Sequence, residues 1–172
     1  MSRLPKNGFT LLELLVYIGI LSFVLVVIAG VFITFGQGKG KVDARAEINQ
    51  NLSLIIGKIQ QDLQDADSVS TPSSTNDATS SLSMDVNGTT VSYATSSDST
   101  LFTRTSGSDT QTINSGKVKF NSFLVERLEN TNYTLNQTFV TIKVIITAST
   151  NNDASEEQYS QTKQTSVVLR QN

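Results

Sequence analysis

One acidic side chain lies inside the longest apolar segment of the chain, and its setting indicates what chemistry it can do. The segment runs from Gly8 to Phe35 and reads GFTLLELLVYIGILSFVLVVIAGVFITF, with Glu13 as its only charge. A helix needs about 20 apolar residues to cross a bilayer. A charged side chain at the centre of such a helix costs about 2.5–3.5 kcal/mol and marks function by default. The chemistry open to Glu13 is therefore ion pairing with a cation that the apolar segment does not supply.

Basic residues precede this segment. Arg3 and Lys6 stand before the apolar run with no acid beside them. The positive-inside tendency then keeps the N-terminus cytoplasmic and sends the C-terminal domain across the membrane. Two simpler interpretations compete. A secretory signal peptide has a shorter apolar core, of about 7–15 residues, and a small-residue cleavage site, while a plain signal anchor leaves Glu13 unexplained.

Residues 8–16, GFTLLELLV, resemble the N-terminus of type IV prepilins and type II secretion pseudopilins. As in that family, a basic leader precedes Gly8-Phe9, and Thr10 and Glu13 follow in register at the start of a long apolar helix. The resemblance implies that a prepilin peptidase cleaves between Gly8 and Phe9 and that Phe9 is then N-methylated. It also implies that Glu13 is the filament-assembly residue. The implied partners are the peptidase, other minor and major pilins or pseudopilins, and the cytoplasmic membrane.

The spacing gives the resemblance a physical basis. After cleavage Phe9 would carry a free α-amine, and Glu13 would lie one turn further along the same helix. A carboxylate in the first turn is favoured by the helix dipole. It can also pair with its own amine or with that of an adjacent subunit, and removing one partner of such a buried pair typically costs about 3–5 kcal/mol. The resemblance implies that this pairing sets axial register when a subunit joins a filament.

Composition argues against catalysis and against nucleic acid as a partner. The chain has no histidine and no cysteine, which removes the commonest general base and metal ligand, any disulfide and any thiolate chemistry. No Ser or carboxylate constellation has a recognisable catalytic spacing, so we expect no enzyme activity and no cofactor. After Gly38 there are 11 Lys or Arg and 14 Asp or Glu, a net charge of −3. Clustered positive charge is needed to neutralise phosphates. A minor pilin that contacts DNA or a surface is the alternative function, and DNA binding at physiological salt would favour it.

Two groups of oxygen-bearing residues are candidates for a cation site, and neither matches a known ligand loop. We expect both groups to be ordinary solvated residues, with no metal. The first group ends a predicted helix: Asp62, Asp65 and Asp67. The second lies in a predicted polar loop: Asn151, Asp153, Glu156 and Glu157.

Three glycines follow the apolar run at alternate positions, Gly36, Gly38 and Gly40. Their spacing does not match the phosphate-binding pattern GxxxxGK[ST]. Each costs a helix about 1 kcal/mol relative to Ala, so we predict a flexible or locally melted joint. Helical periodicity then resumes. The predicted buried stripe is Ala44, Ile48, Leu52, Ile55, Ile59, Leu63 and Ala66. The predicted opposite face is Arg45, Glu47, Lys58, Asp62 and Asp65.

From Leu82 onward the period changes to two, which predicts antiparallel strands. Asn87-Gly88 between alternating runs predicts a hairpin with a two-residue type I′ turn. Its register pairs Val86 with Thr89, Met84 with Val91 and Leu82 with Tyr93. Before it, Ser68 to Ser81 is predicted to be a mobile loop. Further predicted strands are 101–104, 117–128 with a bulge or break, 139–147 and 165–170.

The predicted fold class is α+β: a long N-terminal helix, transmembrane and then amphipathic, packed on an antiparallel β-sheet domain as in pilin-like folds. The predicted divisions are a leader 1–8, a transmembrane and assembly helix 9–35, a glycine joint and amphipathic half 36–67, and a β-rich domain 68–172. Four fragments are similar to the J-type minor pseudopilin and the W-type minor pilin, and imply a place in a filament tip. They are KIQQDLQDADSV, VSY, LFTRT and VVLRQN.

Overall fold

The computed structural model describes residues 10–134, 137–151 and 158–169. This part of the chain forms one helix followed by antiparallel strands, and it divides into two compact units between Gly40 and Lys41. The α+β, pilin-like layout predicted from the sequence is confirmed. The elements are α1 Leu11–Gln64, β1 Ser68–Thr71, β2 Ala78–Thr79, β3 Ser81–Val86, β4 Thr89–Thr95, β5 Phe102–Ser106, β6 Asp109–Thr112, β7 Val118–Asn132, β8 Gln137–Thr150 and β9 Ser160–Val168.

The backbone of α1 is helical through the three glycines. No break interrupts it between Gly36 and Gly40, where the sequence predicts a joint. A glycine lowers helix stability by about 1 kcal/mol but does not forbid helical dihedral angles. The helical turns on both sides of the three glycines therefore stabilise the helical backbone between them. The boundary between the two compact units nevertheless falls directly after Gly40. Local melting at this point stays a prediction.

The amphipathic half of α1 packs on the strands as predicted. Six of the seven stripe residues are buried and Ala44 is half-buried. The prediction for Asp62 is wrong, because this residue is only 5% exposed instead of lying on the solvated face. The stripe advances in steps of three and four residues, and Asp62 follows Ile59 by three. It therefore falls within the buried stripe.

Sheet A has the strand order β1-β3-β4-β5-β6, and all its pairs are antiparallel. The predicted β3–β4 hairpin is confirmed in every pair, including Met84 with Val91. Asn87 and Gly88 both have positive φ, 53° and 74°. A type I′ turn requires this at its two central positions.

Sheet B has the order β2-β7-β8-β9 and is likewise antiparallel. The predicted break in β7 is a register shift between Phe120 and Ser122. Along β8, Ile142, Val144 and Ile146 face the core, as their alternation predicts. The terminal strand β9 has one buried residue, Val167.

Polar contacts hold β9 against the helix. Lys163 Nζ donates to Ser53 Oγ at 2.6 Å, and Gln60 Nε2 donates to Thr165 Oγ1 at 2.5 Å. Just before the strand, the Arg45 guanidinium lies 5.0 Å from the centre of the Tyr159 ring. A cation over an aromatic ring at this distance is attracted to it. These side chains contribute to the contact of β9 and the residue before it with α1.

Three short strands were missed by the sequence prediction. β1 and β2 lie within the segment predicted to be a mobile loop, and β6 follows the turn at Gly107. β1 is ordered because Ser68 and Val69 pair with Asp85 and Met84 of β3. All four residues of β6 are exposed, so no apolar alternation marks it in the sequence.

An aromatic cluster joins both sheets. Phe102 of sheet A lies 5.2 Å from Phe120 and 4.9 Å from Phe123 of sheet B, measured between ring centres. Its centre is 6.3 Å from that of Tyr93. Tilted and edge-on pairs at such distances are favourable beyond the area they bury. The two sheets and the amphipathic half of α1 therefore share one core.

Candidate functional site

The described part of the N-terminal site begins at Thr10, which caps α1. Its side-chain Oγ1 accepts a hydrogen bond of 3.2 Å from the backbone N–H of Glu13. Its carbonyl oxygen accepts one of 3.2 Å from the N–H of Leu14. This is the geometry of an N-cap threonine, and Thr-x-x-Glu is the sequence of a capping box. Gly8 and Phe9, the predicted cleavage and methylation residues, lie outside the described residues.

Glu13 occupies the first turn of the helix and is exposed. Among the described residues, no cation pairs with its carboxylate. Its neighbours along the helix are exposed leucines: Leu12 has 76% of its surface accessible and Leu15 67%. An acid in this setting gains from the helix dipole.

The helix surface after Glu13 is apolar on every side. Every residue from 11 to 36 is exposed in this structure, whereas a helix that is hydrophobic all round is normally buried in protein or lipid. α1 is, in the described part of the chain, the one helix long and apolar enough to cross a membrane. Hydroxyl groups within the run bond to their own helix: Ser22 Oγ donates to the Ile18 carbonyl oxygen and Thr34 Oγ1 to that of Gly30. In the hydrocarbon core of a membrane no water is present, so polar groups there must form hydrogen bonds within the protein.

Comparison with protein families agrees with this geometry. Residues 3–29 match the sequence model of the prokaryotic N-terminal methylation motif. The chain carries that motif. It supports a type IV prepilin-like N-terminus with a membrane anchor that is followed by a C-terminal domain. Comparison with curated proteins and with solved structures gives no match.

The methylation motif ends at residue 29, and the candidate cation residues lie far beyond it. Asp65 and Asp67 are exposed, and Asp67 Oδ2 accepts a hydrogen bond from the N–H of Asn87. Asn151 Nδ2 donates to the carbonyl oxygen of Gly116. In the described ranges, no group of three His, Cys, Asp or Glu is placed to hold a metal ion. Three of the loop candidates lie outside these ranges: Asp153, Glu156 and Glu157.

Asp62 instead forms a buried cluster with two strands of sheet A. Its Oδ2 accepts hydrogen bonds from Tyr93 Oη at 2.5 Å and from Arg104 Nε at 2.7 Å. Lys58 Nζ lies 3.8 Å from Oδ1. We call Asp62, Tyr93 and Arg104 the carboxylate cluster. Sequence spacing alone could have placed Asp62 on the buried stripe, but its two partners are more than 30 positions away and have no signature in the sequence.

The cluster shifts the ionisation of its members. Burial raises the pKa of Asp62, but the hydrogen bonds from Arg104 and Tyr93 outweigh burial and leave the pKa below its ordinary value. Burial, with the hydrogen bond to Asp62, raises the pKa of Tyr93. The bond to Asp62 also raises the pKa of Arg104. The group therefore stays as carboxylate, phenol and guanidinium across neutral pH.

A second polar contact lies further up the same helix. Asn51 is 7% exposed, and its Oδ1 accepts a hydrogen bond of 2.8 Å from the N–H of Ser115. Its Nδ2 donates to Ser115 Oγ at 3.2 Å. Ser115 Oγ in turn donates to Glu47 Oε1 at 2.5 Å. The loop before β7 is thereby tied to α1.

Proposed function

We propose that this protein is a non-catalytic filament subunit that a prepilin peptidase cleaves between Gly8 and Phe9. The observation that carries the proposal is the match of residues 3–29 to the methylation motif. In the structure that motif coincides with a capped apolar helix that has one acid in its first turn. Phe9 then becomes the N-methylated terminus, and Glu13 is the residue through which the subunit joins its neighbours.

Ion pairing supplies the assembly step. The Glu13 carboxylate pairs with the α-amine of Phe9, either its own or that of an adjacent subunit. In an apolar surrounding neither charge is well hydrated, so an unpaired carboxylate is costly. A subunit at a different axial position in the filament leaves the Glu13 carboxylate unpaired. The pair therefore favours one axial position over its neighbours along the filament.

The finer part of the proposal is a minor subunit of the J-type or W-type, placed in the tip complex of a type II secretion pseudopilus or a type IV pilus. The four sequence fragments that resemble those subunits support it. Three of the fragments that carry this resemblance hold one member each of the carboxylate cluster: Asp62 in KIQQDLQDADSV, Tyr93 in VSY and Arg104 in LFTRT. The three fragments therefore meet at one point of the fold.

The location of the protein in the cell follows from the same N-terminal residues. The apolar helix holds the subunit in the cytoplasmic membrane, with the C-terminal domain outside, until it enters a periplasmic or cell-surface filament. Its partners are the prepilin peptidase, the membrane and other minor and major subunits. The net charge of −3 after Gly38 argues against nucleic acid as a further partner.

Two measurements on cells expressing the full chain test this function. Mass spectrometry of the N-terminal peptide is expected to find Phe9 first and N-methylated. Glu13→Gln is expected to leave membrane insertion intact and to remove the subunit from sheared filaments. Glu13→Asp keeps the charge and serves as the matched control, with incorporation largely retained. Wild-type incorporation of Glu13→Gln would refute the assembly role, and an uncut chain would refute the processing.

A further inference from the structure

Two polar residues are buried in the described core, and both belong to α1. They are Asn51 and Asp62, 7% and 5% exposed. They lie eleven positions apart, which is three turns of a helix with 3.6 residues per turn. They therefore lie on the same face, and each is hydrogen-bonded to a different part of the β-rich domain. A buried polar group is costly unless it is paired, so both positions are restricted to the placement in which their partners meet them.

The apolar residues of the same face select a placement only weakly. Ile48 and Leu52 are one turn apart, and so are Ile55 and Ile59, with Leu63 one turn beyond. Sliding the helix by one turn therefore replaces most buried side chains by another aliphatic residue of similar size. Cores tolerate such volume-conserving exchanges at modest cost. Burial of the stripe alone leaves adjacent registers close in energy.

The polar sites are not interchangeable in this way. A slide of one turn in one direction brings Lys58 to the position of Asp62, opposite Arg104, where two like charges meet. The same slide moves Asn51 to the site of Ile55, away from Ser115. A slide in the other direction carries Asp62 one turn away from Arg104, and α1 ends at Gln64, so the helix has no acid four positions on to replace it. That leaves the Arg104 guanidinium, whose side chain is 18% exposed, without an acceptor.

We propose that Asn51 and Asp62 are register marks, which fix the one placement of α1 on the β-rich domain instead of supplying its stability. Replacing a buried ion pair by packed apolar residues is often neutral or stabilising, whereas selecting a register is the best-attested use of such groups. The competing explanation is the short connection Asp65–Asp67 between α1 and β1, which would fix the register by its length alone.

Spin-label distances on the full chain in detergent micelles test the proposal. The chain has no cysteine, so labels go only where cysteine is introduced. Leu54→Cys on α1 is combined with Thr112→Cys on β6 in one protein and with Gln164→Cys on β9 in another. All three positions are exposed. A slide of one turn moves the helix label by about 5.4 Å along its axis.

The decisive variant removes the polar groups of both marks: Asn51→Leu, Asp62→Leu, Tyr93→Phe and Arg104→Met. We expect it to unfold cooperatively, with a denaturation midpoint at or above that of the wild type. A second distance population, shifted by one helical turn, is expected beside the first. The matched control is Asp65→Leu, which removes an exposed acid three positions from Asp62 and is expected to keep a single population.

Two outcomes would overturn the proposal. A single unchanged population in the decisive variant would assign the register to apolar packing and the connection Asp65–Asp67. Failure of that variant to fold would assign the polar groups to stability. A second protein with only the carboxylate cluster replaced, and Asn51 retained, is expected to lie between the wild type and the decisive variant.

Discussion

Arg104 Nε on β5 lies 2.7 Å from Asp62 Oδ2 on α1. The acid is 7% exposed and the base 18%, by side chain, so both charges are largely removed from water. The Coulomb attraction between two such charges competes with the cost of desolvating them. The pair is therefore more sensitive to the loss of one partner than to the replacement of both.

Arg104→Met is expected to lower the free energy of unfolding by about 3 kcal/mol. It leaves a buried carboxylate whose remaining partners are Tyr93 and the more distant Lys58, and breaking a buried pair costs about 3–5 kcal/mol. Urea denaturation followed by circular dichroism measures the change. Lys143→Met is the control, because its pair with Glu126 is roughly one-third exposed and exposed pairs contribute about 0–1 kcal/mol. Equal losses in the two variants would contradict this account.

Acid is expected to destabilise the wild type more than Asp62→Asn. The folded pKa of Asp62 is below its ordinary value of 3.8, so the folded state binds fewer protons than the unfolded state. The resulting stability is fully present above about pH 4 and is lost as the pH falls through the folded pKa. The difference in unfolding free energy between the two proteins, measured from pH 7 to pH 2, should shrink on acidification. If the difference in unfolding free energy did not change with pH, the lowered pKa of Asp62 would not be a source of stability.

Two Gly→Ala substitutions are expected to act in opposite directions. Gly88 has φ +74°, and Gly57 lies in α1; an added Cβ meets no atom within 4 Å at either position. Gly88→Ala is expected to cost about 1 kcal/mol or more through backbone strain. Gly57→Ala is expected to gain about 0.5–1 kcal/mol. Thermal unfolding of both variants gives the comparison, and a loss in Gly57→Ala would show that the helix there is not limited by backbone entropy.

Thr10→Val is expected to fray the start of α1. The substitution keeps the shape of the side chain but removes the oxygen that accepts from the Glu13 N–H, and loss of such a cap costs about 1 kcal/mol. Amide hydrogen exchange in micelles should become faster in the first turn and stay unchanged beyond Ser22. Thr10→Ser, which keeps the oxygen, is the control. If Thr10→Val changed the exchange rates equally along the whole helix, the cap would not be what limits fraying of the first turn.

Strands with apolar alternation could be predicted from the sequence, and strands without it could not. The pairing of Met84 with Val91 followed from the Asn87-Gly88 turn, because a two-residue loop fixes the register of its hairpin. β6 has no buried residue, so nothing in its composition distinguishes it from a loop. It forms because Thr110 and Thr112 pair with the edge of β5, a contact that depends on the tertiary structure.

The two ends of α1 differ in how far the sequence determines them. Glu13 stands out because a lone charge in an apolar run is improbable without a role. For Asp62 the sequence prediction is wrong because an acidic residue type favours the solvated face, although its position falls on the buried stripe. Its partners Tyr93 and Arg104 reach it only through the pairing of β4 with β5. Long-range pairing of this kind leaves no periodicity that a single sequence can reveal.

The attachment of β9 has a consequence for how the domain opens. Its hydrogen bonds to β8 run along one edge, and Val167 is its one buried side chain. Elements with little buried apolar area open at lower free energy than the core. Lys163 and Gln60 hold the strand with contacts that water can replace. The amides of β9 should therefore exchange before those of β7 and β8, so that β9 opens while the aromatic cluster around Phe102 stays closed.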